Sequence, residues 1–184
     1  MKGRVSGLER KTKETEVSVN IVIDGTGIYD VRCSNSFLKH MVETLSRYSS
    51  VDISLKAKGD DEHHLVEDVG ITLGLALKDA IGKIPIERMA TKTVVMDDAM
   101  VTVSLDIADR PYAEIDCPDP LYRHFFRSFA MSAGMTLHTL VVRGFDEHHI
   151  VEATFKALGK CLKFALKKRD TEISTKDRAL VKGV

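Results

Sequence analysis

The sequence contains seven histidines, and four of them form two adjacent pairs, each inside the same short motif. These motifs are His63-His64-x-x-Glu67 and His148-His149-x-x-Glu152. Residues four apart on a helix share a face, so the first histidine and the glutamate of a motif could chelate one divalent ion. The second histidine is turned by about 100° and would serve another ion. Imidazole and carboxylate donors suit a borderline metal such as Mn, Fe, Co, Ni or Zn, so the motifs predict two metals.

A simpler interpretation exists for a single motif, in which the preceding Asp61 or Asp146 is a helix N-cap and the glutamate pairs with a lysine. Two copies in register favour metal binding instead. His40 and His138, each predicted in isolation to be partly buried, could complete the two metal shells. His124, the approximate repeat counterpart of His40, is predicted to be a surface or core-edge residue.

The motifs belong to an internal duplication with an offset of 85 residues, and residues 61–78 match residues 146–163 at ten of eighteen positions. Each half reads as strands, a helix, a strand and a second helix, from the period of its apolar residues. The predicted segments are strands at 17–23 and 101–107, helices at 35–48 and 119–132, strands at 51–55 and 136–142, and helices at 63–81 and 148–168. Because neither half can bury much core alone, we expect an α+β fold in which two mixed sheets pack with helices. The half-repeats are predicted as 1–93 and 94–184, with a polar, basic tail from residue 167.

The composition excludes several function classes. Lys plus Arg and Asp plus Glu both number 27, and this zero net charge argues against a nucleic-acid-binding protein. The sequence has no apolar run of membrane-spanning length and no secretory signal, so we expect a cytoplasmic protein without a membrane partner. Cys33, Cys117 and Cys161 are odd in number and contain no Cys-x-x-Cys, which predicts reduced packing thiols.

Residues along most of the chain resemble the imidazoleglycerol-phosphate dehydratase family of histidine biosynthesis. The matching stretches are Arg10-Lys11-Thr12-Lys13-Glu14-Thr15, Phe37-Leu38-x-His40-Met41, both histidine-pair motifs, Arg110-Pro111, His124-Phe125-Phe126, Leu137-His138, Phe155-Lys156 and Ser174-Thr175-Lys176. The paired motifs in this order are highly specific. The sequence departs from the family at Lys39, where an Asp that could orient His40 is usual.

The resemblance implies two Mn ions per active site, with other divalent metals possible. One ion would be held by His40, His64, His148 and Glu152, and the other by His63, Glu67, His138 and His149. It also implies an assembly of 24 subunits built from trimers, in which neighbouring subunits share active sites. The fold it implies is the duplicated α+β half-domain that the repeat indicates.

The reaction implied by the resemblance is the dehydration of D-erythro-imidazole glycerol phosphate to imidazole acetol phosphate, through a metal-bound imidazolate. Glu14 would be the acid/base catalyst, although without the resemblance it is an ordinary exposed glutamate. The small phosphate substrate would be bound by Arg88, Arg110, Lys156, Ser174, Thr175 and Lys176. Two alternatives remain: another dinuclear-metal lyase or hydrolase acting on an azole or sugar phosphate, and a non-catalytic metal-binding assembly protein.

Overall fold

A computed structural model of the chain describes residues 3–171 and residue 173. The first half contains β1 (Val5–Lys11), β2 (Thr15–Val22), β3 (Tyr29–Cys33), α1 (Ser36–Ser49), β4 (Asp52–Gly59) and α2 (Glu62–Ile81). The second half repeats this order with β5 (Met89–Met96), β6 (Ala99–Ile107), β7 (Tyr112–Ile115), α3 (Pro120–Ala133), β8 (Met135–Arg143) and α4 (Glu147–Ala165). The two halves therefore have the same sequence of elements.

Each half forms one mixed four-stranded sheet, and the strand orders are β1-β2-β4-β3 and β5-β6-β8-β7. In each sheet the first three strands pair antiparallel, and the last pair, β4 with β3 or β8 with β7, is parallel. Two sheets with equivalent topology confirm the predicted α+β duplication.

The boundary between the halves differs from the prediction. The second sheet begins at Met89, so a division between residues 93 and 94 would cut through β5. The strand escaped the sequence pattern because it lies at a sheet edge and buries little: Val94 alone among its residues is buried. An edge strand with few buried residues lacks the alternation by which a strand is recognised.

The helices pack between the sheets and form the centre of the molecule. Helices α1 and α2 contact the first sheet, α3 and α4 contact the second, and across the centre α2 meets α3 while α1 meets α4. Alternate residues of the central strands point into this core, for example Val17, Val19, Val101 and Val103, all fully buried. No helix in the described part of the chain is both long and apolar enough to cross a membrane.

Two repeat-related glycines bring the helices close together. A Cβ added at Gly74 of α2 would lie 2.5 Å from the carbonyl oxygen of Phe129 in α3. A Cβ added at Gly159 of α4 would lie 2.8 Å from Cβ of Tyr48 in α1. Both helix pairs therefore depend on the absence of a side chain at the crossing point.

The three cysteines are free, as predicted, and two of them are packing residues. Cys117 and Cys161 are buried, and the Cys161 thiol donates to the carbonyl oxygen of Val103 at 3.2 Å. Burial raises the pKa of Cys117 to about 12 and that of Cys161 to about 11. Both thiols are therefore protonated near neutral pH and are poor nucleophiles.

Candidate metal and active site

The four helices begin at the same end of the molecule, and this end carries most of the predicted site residues. Near the start of α1, the Phe37 ring lies 5.0 Å from the ring of Tyr122 in α3 and 4.6 Å from that of His148 in α4. Asn35, the N-cap of α1, donates to Glu62 in the first turn of α2. We call the predicted residues at this end the helix-end group: Glu14, His40, His63, His64, Glu67, His148, His149, Glu152 and Lys156.

Both histidine pairs start a helix, and an aspartate caps each one. The Asp61 carboxylate accepts from the backbone N–H of His64 at 2.9 Å. Asp146 accepts from the backbone N–H groups of His148 and His149. The N-cap interpretation of these aspartates is therefore correct, and it is compatible with metal binding because capping fixes the backbone from which the imidazoles project.

Three of the predicted ligands of one ion meet within the chain. The Nε2 atoms of His40 and His148 each lie 3.6 Å from Oε2 of Glu152. Glu152 is buried, whereas about half of each histidine side chain is exposed. Two imidazoles beside the same oxygen of a buried carboxylate form the kind of donor set that borderline divalent metals prefer.

A lysine on the next turn of α4 pairs with the same glutamate. Lys156 Nζ lies 2.8 Å from Oε1 of Glu152. Burial opposes ionisation of Glu152, but Lys156, with smaller contributions from His40 and His148, leaves its pKa below the usual range. Glu152 is therefore an anion that keeps Oε2 directed at the histidines.

The equivalent cluster of the first half has a member that the sequence analysis placed elsewhere. Nε2 of His124 on α3 lies 2.9 Å from Oε1 of Glu67, although the ring is not aligned for a hydrogen bond. The rings of His124 and His63 are 5.0 Å apart. His124 is thus not simply a surface or core-edge residue, and its repeat relation to His40 was the signal that could have revealed this.

His64 lies in a second acidic environment formed by the β1–β2 turn and the loop before α2. Its Nδ1 atom is 3.1 Å from Oδ1 of Asp60 and 3.8 Å from Oε2 of Glu14. Ligand atoms of these three residues all lie within 4.8 Å of one another. The hydrogen bond to Asp60 raises the pKa of His64. The structure thus brings Glu14, the predicted acid/base, to one of the predicted metal ligands.

His149 is held by a carboxylate from a different element. Its Nδ1 atom lies 2.5 Å from Oδ1 of Asp98, in the turn between β5 and β6. This hydrogen bond raises the pKa of His149 and, with two backbone N–H donors, lowers the pKa of Asp98 to about 2. Neither Asp98 nor Asp60 was singled out from the sequence, because nothing local relates them to the histidines.

The position of Glu14 is fixed by a network behind its hairpin. Thr15 and Arg10 both donate to Oδ2 of Asp68, a buried residue of α2. Thr12 accepts from the backbone N–H groups of Glu14 and Thr15 within the turn. These bonds tie the β1–β2 turn to the helix that carries His64, so the carboxylate of Glu14 stays near that imidazole.

The remaining predicted residues lie on the outer face of the second sheet. Arg88 donates to both carboxylate oxygens of Asp106, at 2.7 and 2.9 Å, and Arg110 lies 3.7 Å from the same carboxylate. His138 on β8 is exposed beside the Tyr112 ring, 5.6 Å away. It borders an open groove with Asp106. We call Arg88, Arg110 and His138 the sheet-face group.

The helix-end and sheet-face groups are far apart within one chain. His138 pairs with Ser104, and Asp98, which holds His149, is six residues away along β6. At a rise of about 3.3 Å per residue this is roughly 20 Å. Lys156 lies against Met96, at the opposite end of β5 from Arg88. One chain therefore does not bring His138 to His149, nor Lys156 to Arg88 and Arg110.

The predicted ligand quartets are not completed in the described part of the chain. The predicted metal ligands His40, His148 and Glu152 form one cluster, and His63 and Glu67 both lie next to His124. His64, His138 and His149 lie in separate places. The donor types nonetheless fit divalent metals. In particular, carboxylates bind Nδ1 of both His64 and His149, an arrangement typical of metal-binding histidines that ligate through Nε2. Ser174, Thr175 and Lys176 lie outside the described residues.

Comparisons with known proteins point to one family. The family model described as imidazoleglycerol-phosphate dehydratase matches residues 34–162. The imidazoleglycerol-phosphate dehydratase of Caldanaerobacter subterraneus is 45% identical over 178 residues, covering 89% of this chain and 92% of the relative. That of Cereibacter sphaeroides is 42% identical over 177 residues, covering 89% and 91%.

Solved structures agree in fold. The crystal structure of the Pyrococcus furiosus enzyme in complex with (S)-C348 has a TM-score of 0.82 and 35% identity, covering 91% of this chain and 98% of that chain. The Staphylococcus aureus imidazoleglycerol-phosphate dehydratase has a TM-score of 0.81 and 28% identity, covering 90% and 99%.

Proposed function

This chain belongs to the imidazoleglycerol-phosphate dehydratase family, and we propose that it is the hydro-lyase that converts imidazole glycerol phosphate to imidazole acetol phosphate in histidine biosynthesis. Besides family membership, one observation of the structure carries the proposal. The hairpin with Glu14 is tied to the helix that bears one histidine pair, which places a carboxylate 3.8 Å from an imidazole. A proton-transfer group beside predicted metal ligands is what the reaction requires.

We propose that two Mn ions, or other divalent metals, are bound by the two quartets given above. Support comes from the His40, His148 and Glu152 cluster and from the carboxylates on Nδ1 of His64 and His149. When bound, the metals would act as Lewis acids on the nitrogens of the substrate ring and favour departure of the adjacent hydroxyl. The protein positions the donors and keeps their acidic partners ionised.

The residues of this chain have distinct tasks in the proposed reaction. Glu14 removes the proton from the carbon that bears the other hydroxyl and returns it to the carbon next to the ring as the enol becomes the ketone. The hydroxide lost from that carbon leaves as water with the proton that the enol hydroxyl releases. Arg88, Arg110 and Lys156, with Ser174, Thr175 and Lys176 of the tail, bind the phosphate. Arg88 and Arg110 both lie next to Asp106, and Arg110 is the more exposed of the two. A bound phosphate would therefore replace the Asp106 carboxylate as the partner of Arg110.

We propose further that the active site is shared between copies of the chain, in the assembly of 24 subunits built from trimers that the family resemblance implies. The separation of the sheet-face group from the helix-end group supports this. Apolar side chains exposed near both groups also support it, since exposed apolar surface commonly marks a contact. Phe145, just before the second histidine pair, is 94% exposed, and Val95 and Leu140 on the second sheet are 68% and 58% exposed.

The direct test is an assay of the purified chain with imidazole glycerol phosphate. The chain is stripped of metal, reloaded separately with Mn, Fe, Co, Ni or Zn, and ketone formation is measured. Product formation that requires added metal supports the proposal. Absence of product with every metal, from a protein whose thermal unfolding is cooperative, would overturn it and favour the non-catalytic metal-binding alternative.

Size measurement tests the assembly. The chain alone has a mass of 20.5 kDa. We expect light scattering to report a large complex once Mn is added. A particle that remains at the monomer mass with saturating Mn would contradict the shared site.

A further inference from the structure

The two halves place a carboxylate at equivalent positions of equivalent hairpins. Glu14 closes the turn between β1 and β2, and Asp98 closes the turn between β5 and β6, 84 residues later. Each carboxylate is directed at Nδ1 of the second histidine in the motif of its own half, Glu14 at His64 and Asp98 at His149. The repeat thus supplies one turn carboxylate for each histidine pair.

The distances within these two pairs differ. Asp98 makes a direct hydrogen bond with His149, 2.5 Å between Oδ1 and Nδ1, and its other oxygen accepts from the backbone N–H groups of Phe145 and Asp146. Glu14 is 3.8 Å from the ring of His64, beyond hydrogen-bond distance.

A second aspartate explains why Glu14 is not needed to hold its histidine. Asp60, four residues before His64, lies 3.1 Å from Nδ1 and occupies the place that Asp98 has in the other half. The repeat counterpart of Asp60 is Phe145, which has no side-chain acceptor. The first half therefore has three carboxylates near Nδ1 of His64: Asp60 at 3.1 Å, the N-cap Asp61 at 3.5 Å and Glu14 at 3.8 Å. The second half has Asp98 within hydrogen-bond distance of Nδ1 of His149, plus Asp97, 3.4 Å from Nε2.

We propose that Asp98 is the positioning residue of His149 and Asp60 that of His64, and that this division leaves Glu14, the counterpart of Asp98, free for proton transfer. The proposal rests on the proposed function. An imidazole whose Nδ1–H is held by a carboxylate presents Nε2 in a fixed direction and is a better donor to a metal.

The test compares four single variants with the parent chain. Asp98→Asn and Asp60→Asn remove the charge of the two positioning residues. Glu16→Gln is the control, because Glu16 pairs with Lys58 and Lys11 on the outer face of the first sheet. Glu14→Gln tests whether the turn carboxylate of the first half positions a ligand. Mn affinity is measured from the electron paramagnetic resonance signal of free Mn during titration, and thermal unfolding of the metal-free chains is recorded beside it.

We expect Asp98→Asn and Asp60→Asn each to weaken one of the two Mn sites by about 10- to 100-fold. Glu16→Gln and Glu14→Gln should keep both affinities near the parent values. The proposal is overturned if Asp98→Asn binds both ions as tightly as the parent, or if Glu14→Gln weakens Mn binding as much as Asp60→Asn does. Since the aspartates lie in different halves, a loss of stability in one variant leaves the other as the test.

Failure of the proposed function would have a different outcome. A parent chain that binds two Mn ions, responds to the aspartate substitutions as expected and yet forms no ketone contradicts the dehydratase activity alone. An active parent whose Mn affinity is unchanged in Asp98→Asn and Asp60→Asn contradicts the positioning role alone. A parent chain that binds no Mn contradicts both.

Discussion

The outer faces of the two sheets carry different side chains on the same backbone topology. On the first sheet the exposed residues are mostly charged, as in the pair of Glu16 with Lys58 at 2.9 Å. On the second sheet the threonines of β5 and β6 pair across the strands, and His138 and Leu140 of β8 are exposed beside them. Duplication kept the inward pattern, which the core requires, and left the outward one free to diverge, so the first face is solvated and the second carries part of the proposed site.

Repeat-related arginines show the same divergence. Arg4 and Arg88 each precede the first strand of their sheet, at an offset of 84 residues. Arg4 is 5% exposed and bonds to Asp24 and the carbonyl oxygen of Leu166, which makes it a structural link. Arg88 pairs with Asp106, donates to the carbonyl oxygen of Ile173 and lines a surface pocket, with a quarter of its side chain exposed. Burial decides which arginine is structural and which is available to bind a ligand.

The largest expected effect is on turnover, and it distinguishes Glu14 from Glu16 on the same hairpin. Replacing Glu14 by Gln should lower turnover by about 10²- to 10⁴-fold, because the amide cannot transfer the proton. Glu16→Gln is the matched control on the same hairpin and should stay near the parent, since Glu16 pairs with Lys58 and Lys11 on the charged face. Steady-state kinetics with saturating Mn checks this. Near-normal turnover in Glu14→Gln would remove Glu14 from the mechanism.

Mixed assemblies test whether the two faces meet between copies. Glu14→Gln disables the helix-end group, and Arg110→Ala disables the sheet-face group. If each site combines these groups from different copies, co-expression in equal amounts should restore about a quarter of the parent activity, since about one site in four then has both intact groups. Activity that stays at the sum of the two single variants would show that one copy supplies both groups.

Alanine substitutions at the two glycines where the helices cross allow the two helix pairs to be compared by their effect on the free energy of unfolding. Gly74→Ala should destabilise the chain by about 2 kcal/mol, because the added carbon meets the α3 backbone at both Phe129 and Ala133. Gly159→Ala should cost about 1 kcal/mol, since its closest neighbour is the side-chain carbon of Tyr48. Chemical denaturation at a fixed protein concentration measures both, with the exposed Leu75→Ala as control. Equal costs, or a stabilised Gly74→Ala, would contradict the closer approach of α2 to α3.

The smallest effect concerns pH and the structural arginine. The hydrogen bond from Arg4, with Lys168 adding to it, holds the pKa of Asp24 well below its usual range. A carboxyl whose pKa is lower in the folded chain stabilises the fold at pH values above its pKa in the unfolded chain, which is about 3.9. This stabilisation is lost as the pH falls from there toward the pKa in the folded chain. Because more than a third of the Asp24 side chain is exposed, we expect this pair to contribute only about 1 kcal/mol to the free energy of unfolding.

Asp24→Asn should therefore reduce stability at neutral pH and flatten its decline below pH of about 4. Unfolding curves from neutral to acidic pH measure this. Substrate affinity of Asp24→Asn should be unchanged, in contrast to variants of Arg88, the repeat counterpart of Arg4. A pH profile that keeps its parent shape in Asp24→Asn would show that the Arg4 link contributes no pH-dependent stability.

The fold was largely predictable from the sequence. The duplication, the helices and the central strands follow from repeated motifs and from the period of apolar residues such as Val17, Val19, Val101 and Val103. The edge strands β1, β3, β5 and β7 were not separately predicted. Each pairs with another strand along one side only, and each is short or buries few residues. Their sequences therefore show little alternation of apolar and polar residues.

By itself, the sequence determined which residues could bind metal, because a helix brings positions i and i+4 together wherever it forms. It also determined the N-caps that fix both histidine pairs. The tertiary structure alone decided that His124 meets Glu67, that Asp98 holds His149, and that the sheet-face group lies far from the helix-end group. These relations join segments distant in the chain, and such contacts arise from packing of the helices and sheets, which no local spacing encodes.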